Sequence, residues 1–448
     1  MKKIISLLTA VVLLAGCYKD DINSLKDELN QLKERMALYE NLLDALNKKL
    51  YVTNYEMKDG FYIITLSDGS TLLLSNCIIT LENGMMTFLF ADGRTISIDA
   101  ATPDIRINEP VGGFVIDKMK WLRIQPQVNS SGSVSCSWLL GGVEIADTKD
   151  LLHIFATAGT YQLDFMAKNG IGESVITITV IVNDKTYTNG IFHVYEYLPA
   201  PGQFINAMPE ATEADTPETM RQKAETALTE GSMICLGGFG GYVIFGFDHT
   251  VINREGNDFV VLGNAYTGWA EPGVIMVSYD ANDNGLPDDE WYEIAGSEYH
   301  KPTTIKNYEI TYYRPASEPI ESNYIRWTDN YGQSGYLSNN SYHTQTYYPL
   351  WIDDSYTLTG TFLEANIYDL SGENVNWINP AYDWGYADNW ANNDARAQID
   401  IDWAVDKNGN PVKLKGIDFV RIHTGNRAEG GWLGEVSTEV SGFTDLNF

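Results

Sequence analysis

The six residues Asp280-Ala281-Asn282-Asp283-Asn284-Gly285 set side-chain oxygens at alternate positions and a glycine at the sixth, as calcium-binding loops do. The twelfth position, where such loops carry a carboxylate, is Trp291, so Asp288, Asp289 or Glu290 must close the shell beside Asp280, Asn282 and Asn284. The two readings are a structural Ca2+ loop and a bare hairpin turn. Asp406-Lys407-Asn408-Gly409-Asn410 reads only as a hairpin turn, because Val412 begins the next strand at once. Two aromatic-rich segments could hold a large ligand. The segment 323–350 interleaves Tyr331, Tyr336 and Tyr342 with amides, and 382–393 adds Trp384, Tyr386, Asn389 and Trp390. Neither has a clean period, which places them on loops, and rings on loops suit a binding surface as well as packing beneath the loops. These seven residues are the expected ligand contacts.

Other chemistries find little support. Gly237-Gly238-Phe239-Gly240-Gly241 leads into a strand-like run, whereas a phosphate loop opens a helix. No His-Glu-x-x-His zinc motif and no Gly-x-Ser-x-Gly elbow occurs, and the six histidines are scattered. His249, after Phe247-Asp248, reads as a hydrogen-bonding residue at a strand end. A non-enzymatic protein is expected, although a carboxylate pair distant in sequence would suit a glycosidase. Sixty acidic against thirty basic residues leave a net charge of −30, which argues against a nucleic-acid partner.

The elements that position these residues begin at an export signal. Lys2 and Lys3 precede an apolar run from Ile4 to Ala15, too short to span a bilayer. Leu14-Ala15-Gly16-Cys17 resembles a bacterial lipobox, which implies cleavage of residues 1–16 and a lipid anchor on Cys17. The acidic Asp20-Asp21 that follows resembles a surface-export signal of gut Gram-negative anaerobes, so the expected place is the outer membrane, lipid-anchored and facing outward. Cys77, Cys136 and Cys235 lie far apart and read as buried small hydrophobes.

Residues 17–50 carry the anchor and a stalk. Ile22, Leu29, Met36, Leu43 and Leu50, with Leu25, Leu32, Tyr39 and Leu46 between them, form a heptad seam that predicts a coiled coil and homo-oligomerisation through 18–50. Residues 51–102 read as a small antiparallel β spacer with Asp-Gly and Asn-Gly turns. Residues 103–184 resemble a polycystic-kidney-disease-type, immunoglobulin-like sandwich, on Trp138, Gly159-Thr160-Tyr161-x-Leu163, Asn169-Gly170-x-Gly172 and a closing strand from Val175 to Val182. Residues 185–231 read as a linker with a short helix capped by Thr216, ending at Gly231. Residues 232–448 read as one large β domain, so the whole chain is expected to be mainly β.

Within that last domain, Asp258-Phe259-Val260-Val261, Asn264, Glu271-Pro272, Val274 to Asp280 and Ile417-Asp418-Phe419-Val420-Arg421-Ile422 resemble galactose-binding-like jelly rolls of exported bacterial proteins. Gly246-Phe247-Asp248-His249, Gly263-Asn264-Ala265-Tyr266, Trp291-Tyr292-Glu293, Trp384 to Asn389 and Gly434-Glu435-Val436-Ser437-Thr438-Glu439 are similar to the surface lipoproteins encoded beside cobamide uptake systems. That resemblance implies capture of cobamides (vitamin B12 and relatives), as ligand rather than cofactor, and hand-over to an outer-membrane TonB-dependent transporter. It carries no contact residues with it. Glycan binding at the same aromatic surface and a structural adhesin are the alternatives.

Overall fold

The computed structural model describes residues 19–48, 50–58, 61–74, 77–82, 85–90, 93–130, 133–316, 324–339 and 342–448. The export signal and the expected lipidation at Cys17 lie outside them. The chain is mainly β, with two α-helices among the described residues, and no helix there is long and apolar enough to cross a membrane.

The chain divides into two compact units. The first comprises residues 1–115, 123–152 and 160–181. Its long helix spans Lys19–Asn47. Leu25, Leu29, Leu32 and Met36 are exposed along it, at the three- and four-residue spacing that puts side chains on one face. The helix stops short of the expected seam end. Leu50 lies beyond it, packed with Ala45 against the neighbouring sheet core. That core is the inward face of two three-stranded antiparallel sheets, Val52–Lys58, Phe61–Leu66 and Thr71–Leu74, then Cys77–Glu82, Met85–Phe90 and Thr95–Asp99. The period-2 alternation of a strand explains it: Ile64, Leu66, Leu72, Leu74, Met86 and Phe88 point in, and Ile63, Leu73 and Leu89 do not. The expected sandwich follows. Trp138 is fully buried against Phe165, ring centroids 4.7 Å apart, and its indole N–H donates to the Lys149 carbonyl at 3.0 Å.

The second unit comprises residues 116–122, 153–159 and 182–448. A six-stranded antiparallel sheet runs in the order His193–Leu198, Tyr242–Ile252, Gly416–Thr424, Gly273–Ser278, Tyr292–Ile294 and Ala404–Val405. The central three strands are buried along most of their length, on both faces. Val243, Phe245, Ile275, Val277, Val420 and Ile422 belong to a core shared with Phe259, Val261, Ile399 and Phe443. The last four stand on a three-stranded sheet, Gln398–Ile399, Phe259–Leu262 and Gly442–Asp445. A four-stranded sheet in the order Ser334–Leu337, Ile325–Asp329, Ile305–Tyr313 and Ser355–Phe362 has its own core of Phe239, Tyr308, Ile310, Tyr312 and Trp327.

The stretch read from sequence as a linker, 185–231, supplies structure to this unit. His193–Leu198 is the edge strand beside Tyr242–Ile252. The helix Pro217–Thr229 opens on Thr216, whose hydroxyl accepts from the Thr219 N–H at 3.2 Å while the Thr219 hydroxyl accepts from the Thr216 N–H at 2.8 Å. Met220, Ala224 and Leu228, four apart, are buried on its inner face, within the main core. Gly231, just beyond, has φ +75°, the left-handed region a helix C-terminus favours in glycine.

Candidate functional site

Four acidic residues from three parts of the second unit meet below a cavity of about 350 Å³. Glu271 enters where the chain lies beside Ala387-Asp388: the Glu271 N–H donates to the Asp388 carbonyl, and Gly273 and Ala387 exchange a pair of backbone bonds, all at 2.9 Å. Glu435 comes from the last long loop of the domain, and Glu439 opens the short strand Glu439–Val440 that follows it. Oxygens of Glu271, Asp388 and Glu439 all lie within 4.8 Å of one another, the one such group of three acidic, histidine or cysteine side chains among the described residues.

Local geometry fixes each carboxylate. Asp388 Oδ1 accepts from the N–H groups of Asn264 and Ala265, both at 2.8 Å, and Oδ2 accepts from Glu439 N–H at 3.0 Å. Gly263 is required here, since a Cβ would stand 2.3 Å from Asp388 Oδ1. Glu435 Oε1 accepts from Gln203 N–H at 2.5 Å, and Glu439 Oε1 from the Ser437 hydroxyl at 3.0 Å. Glu271 Oε1 accepts from Ser437 N–H at 3.3 Å. Glu435 Oε2 and Glu439 Oε2 are buried with no hydrogen-bond partner.

Burial raises every one of these carboxyls above the ordinary range, Asp388 to about 6 and Glu435 and Glu439 to about 8. Glu271 is pushed well up by burial and then by the neighbouring charges of Glu439 and Asp388.

The cavity walls are aromatic and amide. Phe204, Tyr266, Trp269 and His343 line it with Gln203 and Asn264. Tyr266 is 64% exposed and free to face a ligand. Phe204 packs edge-on against His343, centroids 4.8 Å apart. A broader, open groove of about 1250 Å³ continues from it, sharing Met208 and Asn264 and bounded by the helix Pro217–Thr229. The arrangement offers flat apolar faces above a floor of hydrogen-bond acceptors, suited to a ligand rich in hydroxyl or amide donors.

The seven residues expected to contact ligand do not form one surface. Tyr386 and Asn389 are buried. The Tyr386 hydroxyl accepts from Glu298 N–H at 3.0 Å, and Asn389 ties back to both backbone groups of Tyr382. Trp390 donates to the Tyr382 carbonyl at 2.8 Å and carries the Arg396 guanidinium 3.3 Å above its ring. Trp384 pairs with Trp403 at 4.5 Å. Tyr331 stacks on Tyr308 of the four-stranded sheet, and Tyr336 stands on that sheet's edge strand. Tyr342 adjoins the cavity-lining His343 in sequence and meets Trp432 at 5.5 Å.

At the Asp280 loop the oxygens point to the loop's own backbone. Asp280 accepts from Asn284 and Gly285 N–H, Asn282 from Asn284 N–H, and Asn284 from Leu286 N–H. Asp289 takes the Ala281 N–H and Asp288 the side-chain amides of Asn282 and Asn284, while Glu290 accepts from the Tyr292 hydroxyl. His249 is buried between Asp248 at 3.0 Å and Asp445 at 3.3 Å, a hydrogen-bonding role within the fold.

Sequence reasoning missed the acidic floor. Four of the stretches it singled out contribute to it: Gly263-Asn264-Ala265, Glu271-Pro272, Asp388-Asn389 and Glu435 to Glu439. The usable signal was that acidic residues stood in motifs from distant parts of one domain.

No family model matches the chain, and no curated protein matches it. Among solved structures, a quinonprotein alcohol dehydrogenase-like protein from Bacteroides thetaiotaomicron aligns at 15% identity and TM-score 0.15, over 19% of this chain and 20% of that one. A SusE-like protein aligns at 8% identity and TM-score 0.24, over 76% and 96%. A mixed-linkage glucan utilization protein from Bacteroides ovatus, solved with a heptasaccharide, aligns at 14% and TM-score 0.17, over 53% and 48%. The chain thus spans a fifth of the first and under half of the third, and at these scores the likenesses carry no functional argument.

Proposed function

We propose that the second unit captures a soluble glycan without catalysis, at an outer-membrane surface to which the chain is tethered by lipid on Cys17. The observation that carries this reading is the cavity itself, a sugar-sized space with aromatic walls and an acceptor-rich floor. Its volume is near the low end of the range for small-molecule sites, about 300–1,000 Å³. A pyranose presents a flat C–H face for a ring such as Tyr266 and hydroxyls that donate to Glu435, Glu439 and Asn264. The open groove beside it would let further sugar units extend along the chain of the ligand.

A second reading, cobamide capture, draws on a specific observation. The stretches similar to cobamide-binding lipoproteins converge on this cavity through Asn264, Glu435 and Glu439, and the groove gives a larger ligand room. Against it stands size: a corrin ring with its nucleotide tail is larger than the cavity of about 350 Å³ and would have to lie mostly in the open groove.

Calorimetry with the full-length protein against soluble oligosaccharides, cyanocobalamin and a corrinoid lacking the lower base separates the two. Saturable glycan binding without corrinoid binding is the expected result. Corrinoid binding alone transfers the site to the second reading, and binding of neither overturns both.

A further inference from the structure

We infer that Glu271, Asp388 and Glu439 bind a calcium ion at the floor of this cavity. The geometry is that of a hard-cation site. Their oxygens lie within 4.8 Å of one another. Two ligands of one ion can be no farther apart than twice the bond length, about 5.2 Å for calcium, so this spacing admits that ion. Three carboxylates from separate parts of the chain satisfy the preference of calcium for oxygen, and its tolerance of irregular geometry suits ligands held at fixed backbone positions.

The second observation is independent of the clustering. Glu439 is 2% exposed and Glu435 3% exposed, yet Oε2 of each has no partner. A buried carboxylate oxygen left unpaired is costly, and native proteins pair such groups with donors, basic side chains or metal ions. No Lys or Arg among the described residues forms an ion pair with any of the four acids. A proton shared between Glu271 and Glu439 is the competing way to lower the charge. The titration below separates the two, because a shared proton gives no saturable Ca2+ binding.

The site is also rigidly built. Asp388 is anchored by three backbone N–H groups, which orient both of its oxygens and hold Asn264 and Glu439 around it. Glu271, Glu435, Ser437 and Glu439 all line the cavity. The remaining coordination positions of an ion bound below therefore face the ligand space, where two adjacent hydroxyls of a sugar could occupy them. That last step rests on the glycan reading, whereas the ion site itself does not.

The test is calorimetric titration of the chelator-treated full-length protein with Ca2+, Mg2+ and Zn2+, and with Tb3+ read by luminescence on excitation of the protein's aromatic rings, since Trp269 lines the cavity. One saturable Ca2+ site is expected, preferred over Mg2+. Glu439→Gln and Glu271→Gln should each weaken it tenfold or more, with folding checked by circular dichroism. Adding Ca2+ should raise the melting temperature of the wild type and leave Glu439→Gln unmoved. Absence of saturable Ca2+ binding, a preference for Zn2+, or wild-type affinity in both folded variants overturns the inference. So does loss of binding in Asp280→Ala with retention in Glu439→Gln, which would place the ion in the other loop. Glycan affinity that is unchanged by calcium removal, with the ion site intact, would refute only the ligand-facing step.

Discussion

Single residues in this chain are legible to the extent that their chemistry is local. The Asp280 loop shows both sides of that limit. Its alternating oxygens are real, and they turn inward to cap their own backbone amides, an outcome the same spacing allows. Tyr386 and Asn389, expected ligand contacts, are structural: a long-range bond from Glu298 claims the Tyr386 hydroxyl, and Asn389 closes its own loop on Tyr382, seven residues away. Glu271, Asp388, Glu435 and Glu439 could not be grouped from sequence, since only the folded sheet connects loops so far apart in the chain. His423 offers a test at this scale. Its Nε2 bonds the Thr361 carbonyl at 3.2 Å and its Nδ1 is buried without a partner, so burial, and then the nearby Arg421, pushes the imidazole down to about 3. A histidine depressed from an unfolded value near 6.5 stays neutral in the fold while the unfolded chain takes up a proton. Its contribution is therefore complete above about pH 6.5 and declines as pH falls toward 3. Urea unfolding of His423→Gln against wild type should show a destabilisation at pH 7.5 that shrinks at pH 5. A difference constant with pH would mean the imidazole titrates normally.

At the scale of elements, local signals were sufficient wherever the chain satisfies itself over a few residues. The helix Pro217–Thr229 follows from a capping threonine, proline at the first turn and apolar residues four apart, all visible in sequence. Replacing Thr216 by Ala should cost about 1 kcal/mol, read as a lower urea midpoint. An unchanged midpoint would mean that core packing of Met220, Ala224 and Leu228 alone holds the helix. The role of that helix is not legible in sequence, because its docking beside His193–Leu198, the edge strand of the six-stranded sheet, is a tertiary contact that no local pattern encodes. The stalk is the converse case. Its seam is visible from period alone, and Leu25, Leu29, Leu32 and Met36 are exposed along the helix. Apolar rows of this kind drive helix association. Sedimentation at micromolar concentration should give an oligomer for the full-length protein and a monomer once residues 19–47 are removed. A monomeric full-length protein would show that this face does not self-associate.

For the whole molecule, alternation and turn residues made a mainly β chain legible, while strand order was not. Tyr242–Ile252 lies beside Gly416–Thr424, a pairing that no local pattern encodes and that shared burial of both faces selects. The cavity is a product of that pairing, since the sheet brings the loops carrying Asn264, Glu271, Asp388 and Glu435 to one end of the unit. Capture of ligand in this cavity is measured by titrating wild type, Tyr266→Ala and Trp384→Ala with the best-binding member of the oligosaccharide and corrinoid panel. Covering an aromatic face contributes about 1–3 kcal/mol, or roughly ten- to a hundredfold in affinity. A loss of that size is expected for Tyr266→Ala, and wild-type affinity for Trp384→Ala, whose ring is paired with Trp403 and does not line the cavity. Undiminished binding in Tyr266→Ala, with the loss falling on Trp384→Ala, would contradict capture there.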